Sequence, residues 1–382
     1  MKEKVLRQVF TVFAVIVAAF AMCASVATPA FAANTPVSGS TTTFNKYLVM
    51  DADANVPNVT FEFDIMAGTA QVASGSSPAI YAGVDADSIA VSDASFTTSD
   101  STTPGTPSNT EDSTQKYATK SVTVNLQGVT FNKPGIYRYV ITETATSQDG
   151  ITNDTNTTRT LDVHVAYAAG SETELKVTSY ALYLTAPATV EDFANTGKVN
   201  GFTNTYTTHN LTLKKQVEGN QGDRNKYFKF TVSITNAVAD TVYNVDLSDA
   251  DSNPNVNDGT TNPNQLVATD GTVTATYYLK DDQSITIKGL TGGTHYTITE
   301  ESYSSDGYTT ANTVDGTASL QGDTTGEKTM DDSFHEVVFT NHKEGIVPTG
   351  ILIETGPYIL MGAVVIIGLV ALLATSRRRS RK

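Results

Sequence analysis

Short runs in which apolar and polar residues alternate recur through most of the chain: Val59-Thr60-Phe61-Glu62-Phe63-Asp64-Ile65, Ser121 to Leu126, Leu161 to Tyr167, Val177 to Leu184, Phe228 to Ile234 and Thr272 to Leu279. Successive side chains of a strand point to opposite faces, so this period of two predicts strands with one buried and one solvated face. Turn residues such as Asp281-Asp282 and Thr291-Gly292-Gly293 separate the runs. Helical periodicity is scarce, and the pattern reads as an all-β, antiparallel β-sandwich. The Ser/Thr/Pro/Asp stretch from Thr97 to Ser113 reads as a surface loop, and Asn204 to Asn210 as a polar connector between two units.

Two segments break the alternation. Near the start, Lys2, Lys4 and Arg7 precede an apolar run from Val9 to Met22, and Ala30-Phe31-Ala32 closes the segment with small residues. A basic stretch, a short apolar stretch and an A-x-A site together predict a secretory signal peptide, residues 1–32. Cys23 follows Met22 rather than the small residue that a lipid-attachment site needs. Near the other end, Ile359 to Thr375 is uncharged and apolar, near the lower limit of what can cross a bilayer as a helix, and Arg377, Arg378, Arg379, Arg381 and Lys382 follow it. Just upstream stands Ile346-Val347-Pro348-Thr349-Gly350. That pentapeptide, apolar span and basic tail, in that order, resemble the sorting signal of Gram-positive wall proteins. The resemblance implies cleavage by a sortase between Thr349 and Gly350, with the Thr349 carbonyl passed to an amine and residues 351–382 removed.

The chain left between those cuts carries 17 Lys and Arg against 38 Asp and Glu, a net charge of −21. So acidic a surface argues against nucleic acid and anionic lipid as partners. The single cysteine leaves with the signal peptide. An exported chain would then have no disulfide in a compartment that allows them. Its length suits two domains, 33–207 and 208–345.

The two halves repeat one constellation. Each opens with a strand carrying a lysine on its apolar face: Phe44, Lys46 and Leu48, then Leu211, Leu213, Lys215 and Val217. Each has a later strand whose apolar, aromatic face ends in glutamate: Tyr137, Tyr139, Ile141 and Glu143, then Tyr296, Ile298 and Glu300. Each closes on Phe-Thr-Asn, at Phe202-Thr203-Asn204 and Phe339-Thr340-Asn341. Charged residues are seldom fully buried unless paired. One reading is a structural Lys–Glu ion pair beside a hydrogen-bonded asparagine. The other is chemical. Burial lowers an ammonium pKa and raises a carboxyl pKa, so a neutral lysine can attack the asparagine carboxamide. A protonated glutamate would meanwhile donate to the amide oxygen and shuttle protons to the departing ammonia. The repeat of the triad in a chain without disulfides favours the second reading. The product is an intramolecular Lys–Asn isopeptide bond in each half, formed once, with no turnover.

On Phe44-Asn45-Lys46, Tyr139-Val140-Ile141-Thr142-Glu143, Phe202-Thr203-Asn204, Leu211 to Lys215, Tyr296 to Glu300, Phe339-Thr340-Asn341 and the 346–350 signal, the chain resembles the major (backbone) pilins of sortase-assembled Gram-positive pili. The two-domain streptococcal type, with CnaB-like, immunoglobulin-like domains, fits best. That resemblance implies Lys46–Asn204 and Lys215–Asn341 bonds assisted by Glu143 and Glu300. It also implies an acceptor lysine just before the last strand of the first domain, a position occupied by Lys198, with Lys176 as second choice. Implied partners are further copies of the chain, a sortase, minor pilins and peptidoglycan, at the cell surface. A monomeric wall-anchored adhesin shares every feature except a role for Lys198.

Other chemistry finds little support. Asp249-Ala250-Asp251-Ser252-Asn253 has the opening spacing of a calcium loop, but Pro254 stands where the turn glycine belongs and Thr260 where the closing glutamate does. The five histidines have no metal-ligand spacing. Phosphate-binding glycine loops, zinc motifs and G-x-S-x-G are absent, so no cofactor and no enzyme acting on an external substrate are expected.

Overall fold

The computed structural model describes residues 33–73, 79–188, 197–250, 263–318, 322–331 and 333–345. The expected signal peptide, the 346–350 motif with Thr349 and Gly350, the apolar span, and Asp251 to Thr260 of the acidic loop lie outside these residues. Within them the chain is all-β, two tandem immunoglobulin-like sandwiches, with two single-turn 3₁₀ segments at Ala86–Ser88 and Ser304–Asp306.

In the first half, Thr41–Asp51 lies between Gln115–Asn125, which it pairs antiparallel, and Gly201–Tyr206, which it pairs parallel. The opposite sheet centres on Gly135–Glu143, flanked by Phe63–Ala67 and Thr158–Tyr167, with Leu175–Tyr183 beyond. Leu48, Phe61, Val122, Tyr139, Ile141, Val163 and Phe202 fill the space between the sheets. The second half repeats the plan. His209–Glu218 pairs antiparallel with Ser284–Leu290 and parallel with His335–His342. Facing them, Phe228–Thr235 lies between Val273–Leu279 and His295–Glu300. Leu213, Phe230, Val232, Tyr277, Ile285, Ile298 and Phe339 form its core.

Two features depart from the antiparallel expectation: Ile80–Ala82 runs parallel to Gly135–Glu143, and the first long strand and the last strand of each half are parallel neighbours. Parallel pairing needs a long crossover, and here the whole opposite sheet supplies it. The connector also contracts. Strands Gly201–Tyr206 and His209–Glu218 leave only Thr207 and Thr208 between them. Both the N–H and the hydroxyl of Thr208 donate to Asp51. The Asn55 amide donates to the Val242 carbonyl at 2.7 Å, and that of Asn58 to Asp240 at 3.0 Å. Val238 of the second half packs into the first core. The stretch read as a surface loop from Thr97 to Ser113 contributes a short exposed strand, Thr102–Pro104, to the edge of Gln115–Asn125.

The parallel arrangement decides where the chain leaves. His209–Glu218 starts at the junction, and His342 lies opposite Glu218 at its far end. Lys343 and Gly345 then bond to Glu218 and Asn220. The residues leading to 346–350 therefore depart from the pole opposite the first half.

Candidate functional site: two buried Lys–Glu–Asn clusters

In each half the lysine and the asparagine project from adjacent strands of one sheet, and the glutamate reaches them from the other. The register is the same in both. Lys46 lies opposite Phe202, with Asn204 two residues on; Lys215 lies opposite Phe339, with Asn341 two residues on. Two residues along a strand restore the same face, so amine and carboxamide become diagonal neighbours inside the sandwich. All six side chains are buried.

In the first cluster the Lys46 amine donates to both oxygens of Glu143, at 2.8 and 2.7 Å. The Asn204 amide nitrogen donates to Oε1 of the same carboxylate at 2.6 Å. The amine lies 4.4 Å from the centre of the Phe61 ring. Loss of hydration lowers the Lys46 pKa to about 8, with Glu143 opposing the shift. In the second cluster the Lys215 amine stands 3.2 Å from Glu300 Oε1 and 3.4 Å from Oε2, and it also donates to the Phe339 carbonyl at 3.4 Å. The Asn341 amide donates to Glu300 at 2.7 Å, and the ring of Phe228 lies 4.4 Å from the amine. Burial brings Lys215 to about 8 as well and pushes the Glu300 carboxyl up.

The carboxylate thus bridges nucleophile and amide nitrogen in both halves. This differs from the sequence reading, which had the acid donating to the amide oxygen. A bridging carboxylate can take a proton from the attacking amine and deliver it to the departing nitrogen.

Two residues missed by the sequence reading complete the first cluster. Asp154 directs its main-chain N–H to Asn204 Oδ1 at 2.9 Å. Arg159, buried and 4.4 Å from the Phe202 ring, holds the Asp154 carboxylate at 2.6 Å. A signal for Arg159 was present: it shares its strand parity with Leu161, Val163 and Val165, as each triad lysine shares an apolar face. The Asp154 contact left none, because a main-chain donor is independent of residue type.

Lys198 is exposed and forms an antiparallel bridge with Tyr183 at the end of Leu175–Tyr183, while Val199 donates to the Leu182 carbonyl. Beneath lies a small outer-face cluster of Ile80, Ile136, Ala181 and Tyr183. Nearby, buried Arg138 binds both Asp162 oxygens at 2.8 Å and the Pro187 carbonyl at 2.8 Å. Burial, with the charges of Lys198 and Arg138, lowers His164 to about 4, so its imidazole is neutral at neutral pH. Lys176 is exposed on the same edge strand, within regular sheet.

Paired immunoglobulin-like sandwiches, each holding a buried Lys–Glu–Asn set across its sheets, define a class of structural surface protein, and comparison with known proteins agrees. A family model described as a Spy0128-like isopeptide containing domain matches residues 45–207, and one described as a domain of unknown function (DUF7601) matches 209–343. A pilin of Streptococcus pyogenes serotype M1 is 32% identical over 259 residues, which span 65% of this chain and 70% of that protein. The crystal structure of the major pilin from Streptococcus pyogenes covers 81% of this chain and 100% of that one, at 27% identity and a TM-score of 0.52. The pilus tip adhesin Cpa of the same species is 32% identical over 146 residues, 38% of this chain and 18% of that protein. The chain belongs to the pilin family, of the streptococcal major-pilin kind.

Proposed function

We propose that the chain is the shaft subunit of a sortase-polymerised pilus, each half stapled by one Lys–Asn isopeptide bond. The observation that carries this reading is the repeated register: in both halves a buried amine and carboxamide are offset by two residues on parallel strands and share one carboxylate. In each half the neutral amine of Lys46 or Lys215 attacks Cγ of Asn204 or Asn341. Glu143 or Glu300 relays a proton to the amide nitrogen, which departs as ammonia. One C–N bond forms and one breaks, with no redox change. Each bond would tie the first strand of a half to its last, so pulling force passes between adjacent parallel strands and bypasses the rest of the fold.

Polymerisation would join the Thr349 carbonyl of one subunit to the Lys198 amine of the next. A tail leaving at one pole and an exposed lysine on the other half suit a head-to-tail contact, which generates an open filament. The filament would stand on the cell wall, with minor pilins and a host-surface ligand as further partners.

The test is an immunoblot of wall extracts boiled in SDS, from wild-type and Lys198→Ala cells. A high-mass ladder that collapses to monomer in the variant is expected. A surviving ladder would move the linkage to Lys176. A single monomer band in both strains would replace the shaft with a monomeric wall-anchored adhesin.

A further inference from the structure

We propose that the main-chain N–H of Asp154 is a catalytic hydrogen-bond donor for the first half, stabilising the oxyanion that forms on Asn204 Oδ1, and that Arg159 is its positioning residue. This rests on the crosslink reading above. When the Lys46 amine adds to Cγ, the carbonyl electron pair moves onto Oδ1. The Asp154 N–H is already 2.9 Å from that atom, in a site screened from water. A fixed donor aimed at a developing charge in a dry site stabilises the transition state more than the ground state. The proton released from Nζ passes through Glu143 to Nδ2, ammonia leaves, and the electron pair returns from Oδ1 to restore the carbonyl.

The donor is held from several sides. One Asp154 oxygen accepts from Arg159 at 2.6 Å and from the Thr203 N–H at 3.0 Å; the other accepts from the Asn156 N–H at 2.9 Å. Arg159 in turn donates to the carbonyls of Gly201, Asn156 and Thr158. Strand ends explain why the loop can reach inward. Ile151–Thr152 pairs with the last strand only at Tyr206 and Thr205, and the chain turns away one residue before Asn204. In the second half Thr309–Val314 runs on past Asn341, paired at Thr310, and Asn341 Oδ1 has no hydrogen-bond partner among the described residues.

The experiment follows ammonia loss in pulse-labelled, freshly synthesised ectodomain (33–345) by intact mass and peptide mapping. The second crosslink serves as a clock within the same chain. Asp154→Ala keeps the N–H and loses the clamp; Asp154→Pro loses both. Asp154→Pro is expected to slow the first crosslink about 100-fold, and Asp154→Ala to slow it much less, with the second crosslink unchanged in both. Equal first-half rates in the two variants would overturn the donor role. Should Asp154→Pro fail to fold, Arg159→Gln reads the same contact with every main-chain N–H in place. A slowed first crosslink that Arg159→Lys partly restores is expected, and an unchanged rate overturns the proposal. A wild-type chain with no mass deficit would instead overturn the parent crosslink reading.

Discussion

In the first half Glu143 grips the lysine amine at 2.7 and 2.8 Å, and the asparagine oxygen has a donor in Asp154. In the second half the amine stands 3.2 and 3.4 Å from Glu300, and the asparagine oxygen is buried with no partner among the described residues. Nothing in the three side chains accounts for this. The donor follows from the neighbouring strand, which stops short of Asn204 and continues past Asn341. Identical triads on one register can therefore sit in different electrostatic surroundings, and the difference is set by where a third strand ends.

The largest effect should come from removing the acid. Glu143→Ala and Glu300→Ala are each expected to abolish only the crosslink of their own half, leaving the chain about 17 Da heavier than wild type, the mass of one retained ammonia. The bonds join residues 158 and 126 apart in sequence. On loop-closure grounds each contributes about 5 kcal/mol, so thermal melting should fall steeply in both variants. A chain that keeps its full mass deficit without Glu143 would remove the carboxylate from the mechanism.

A second experiment probes the comparison with no crosslink present. In a Glu143→Ala, Glu300→Ala chain, adding Asn204→Ala strips the Asp154 N–H of its acceptor. Adding Asn341→Ala removes an oxygen that had no donor. A buried group left unsatisfied costs about 1–3 kcal/mol, so Asn204→Ala should destabilise the chain by roughly that much more than Asn341→Ala in urea melts. Equal costs would mean that the Asp154 contact contributes nothing to the folded state.

The sequence made the triads legible because alternation in a strand is a rigid rule: Lys46 and Lys215 had to share a face with their apolar neighbours, as did Glu143 and Glu300. The sandwich fold followed from the same alternation, and its division in two from chain length and the repeated triad. Parallel pairing of the first and last strands was not legible, since alternation fixes which face a residue occupies and leaves open which strand lies beside it. The connector was misjudged for a related reason. Thr205, Thr207 and Thr208 look polar, yet Tyr206 is buried and its strand runs almost to the next. Asp154 lay beyond reach because its contribution comes from the main chain. Arg159 could have been found by extending to arginine the parity test that found the lysines.

The smallest expected difference concerns pH, and it follows from the missing donor. Both amines titrate near 8, well below an ordinary lysine, because burial penalises the ammonium. The unfolded chain holds these protons up to the usual lysine pKa. Before crosslinking, the folded state should therefore gain stability as pH rises from about 8 toward 10.5. The rates should diverge over the same range. In the first half the Asp154 N–H polarises the carbonyl at any pH, so loss of the last proton from the Lys46–Glu143 pair leaves a neutral amine, a carboxylate relay and a fixed oxyanion donor. In the second half the described residues offer Asn341 Oδ1 no such donor, so the step there depends on the proton that Lys215 and Glu300 share, with the Glu300 carboxyl pushed up by burial. As pH rises that proton is lost from the pair. The second crosslink should then slow several-fold per pH unit, up to the tenfold limit for one required proton, while the first holds its rate. Pulse-labelled chains chased at pH 7, 8, 9 and 10 would show it. Parallel profiles would mean that the Asp154 contact does not relieve the first half of its need for a protonated acid.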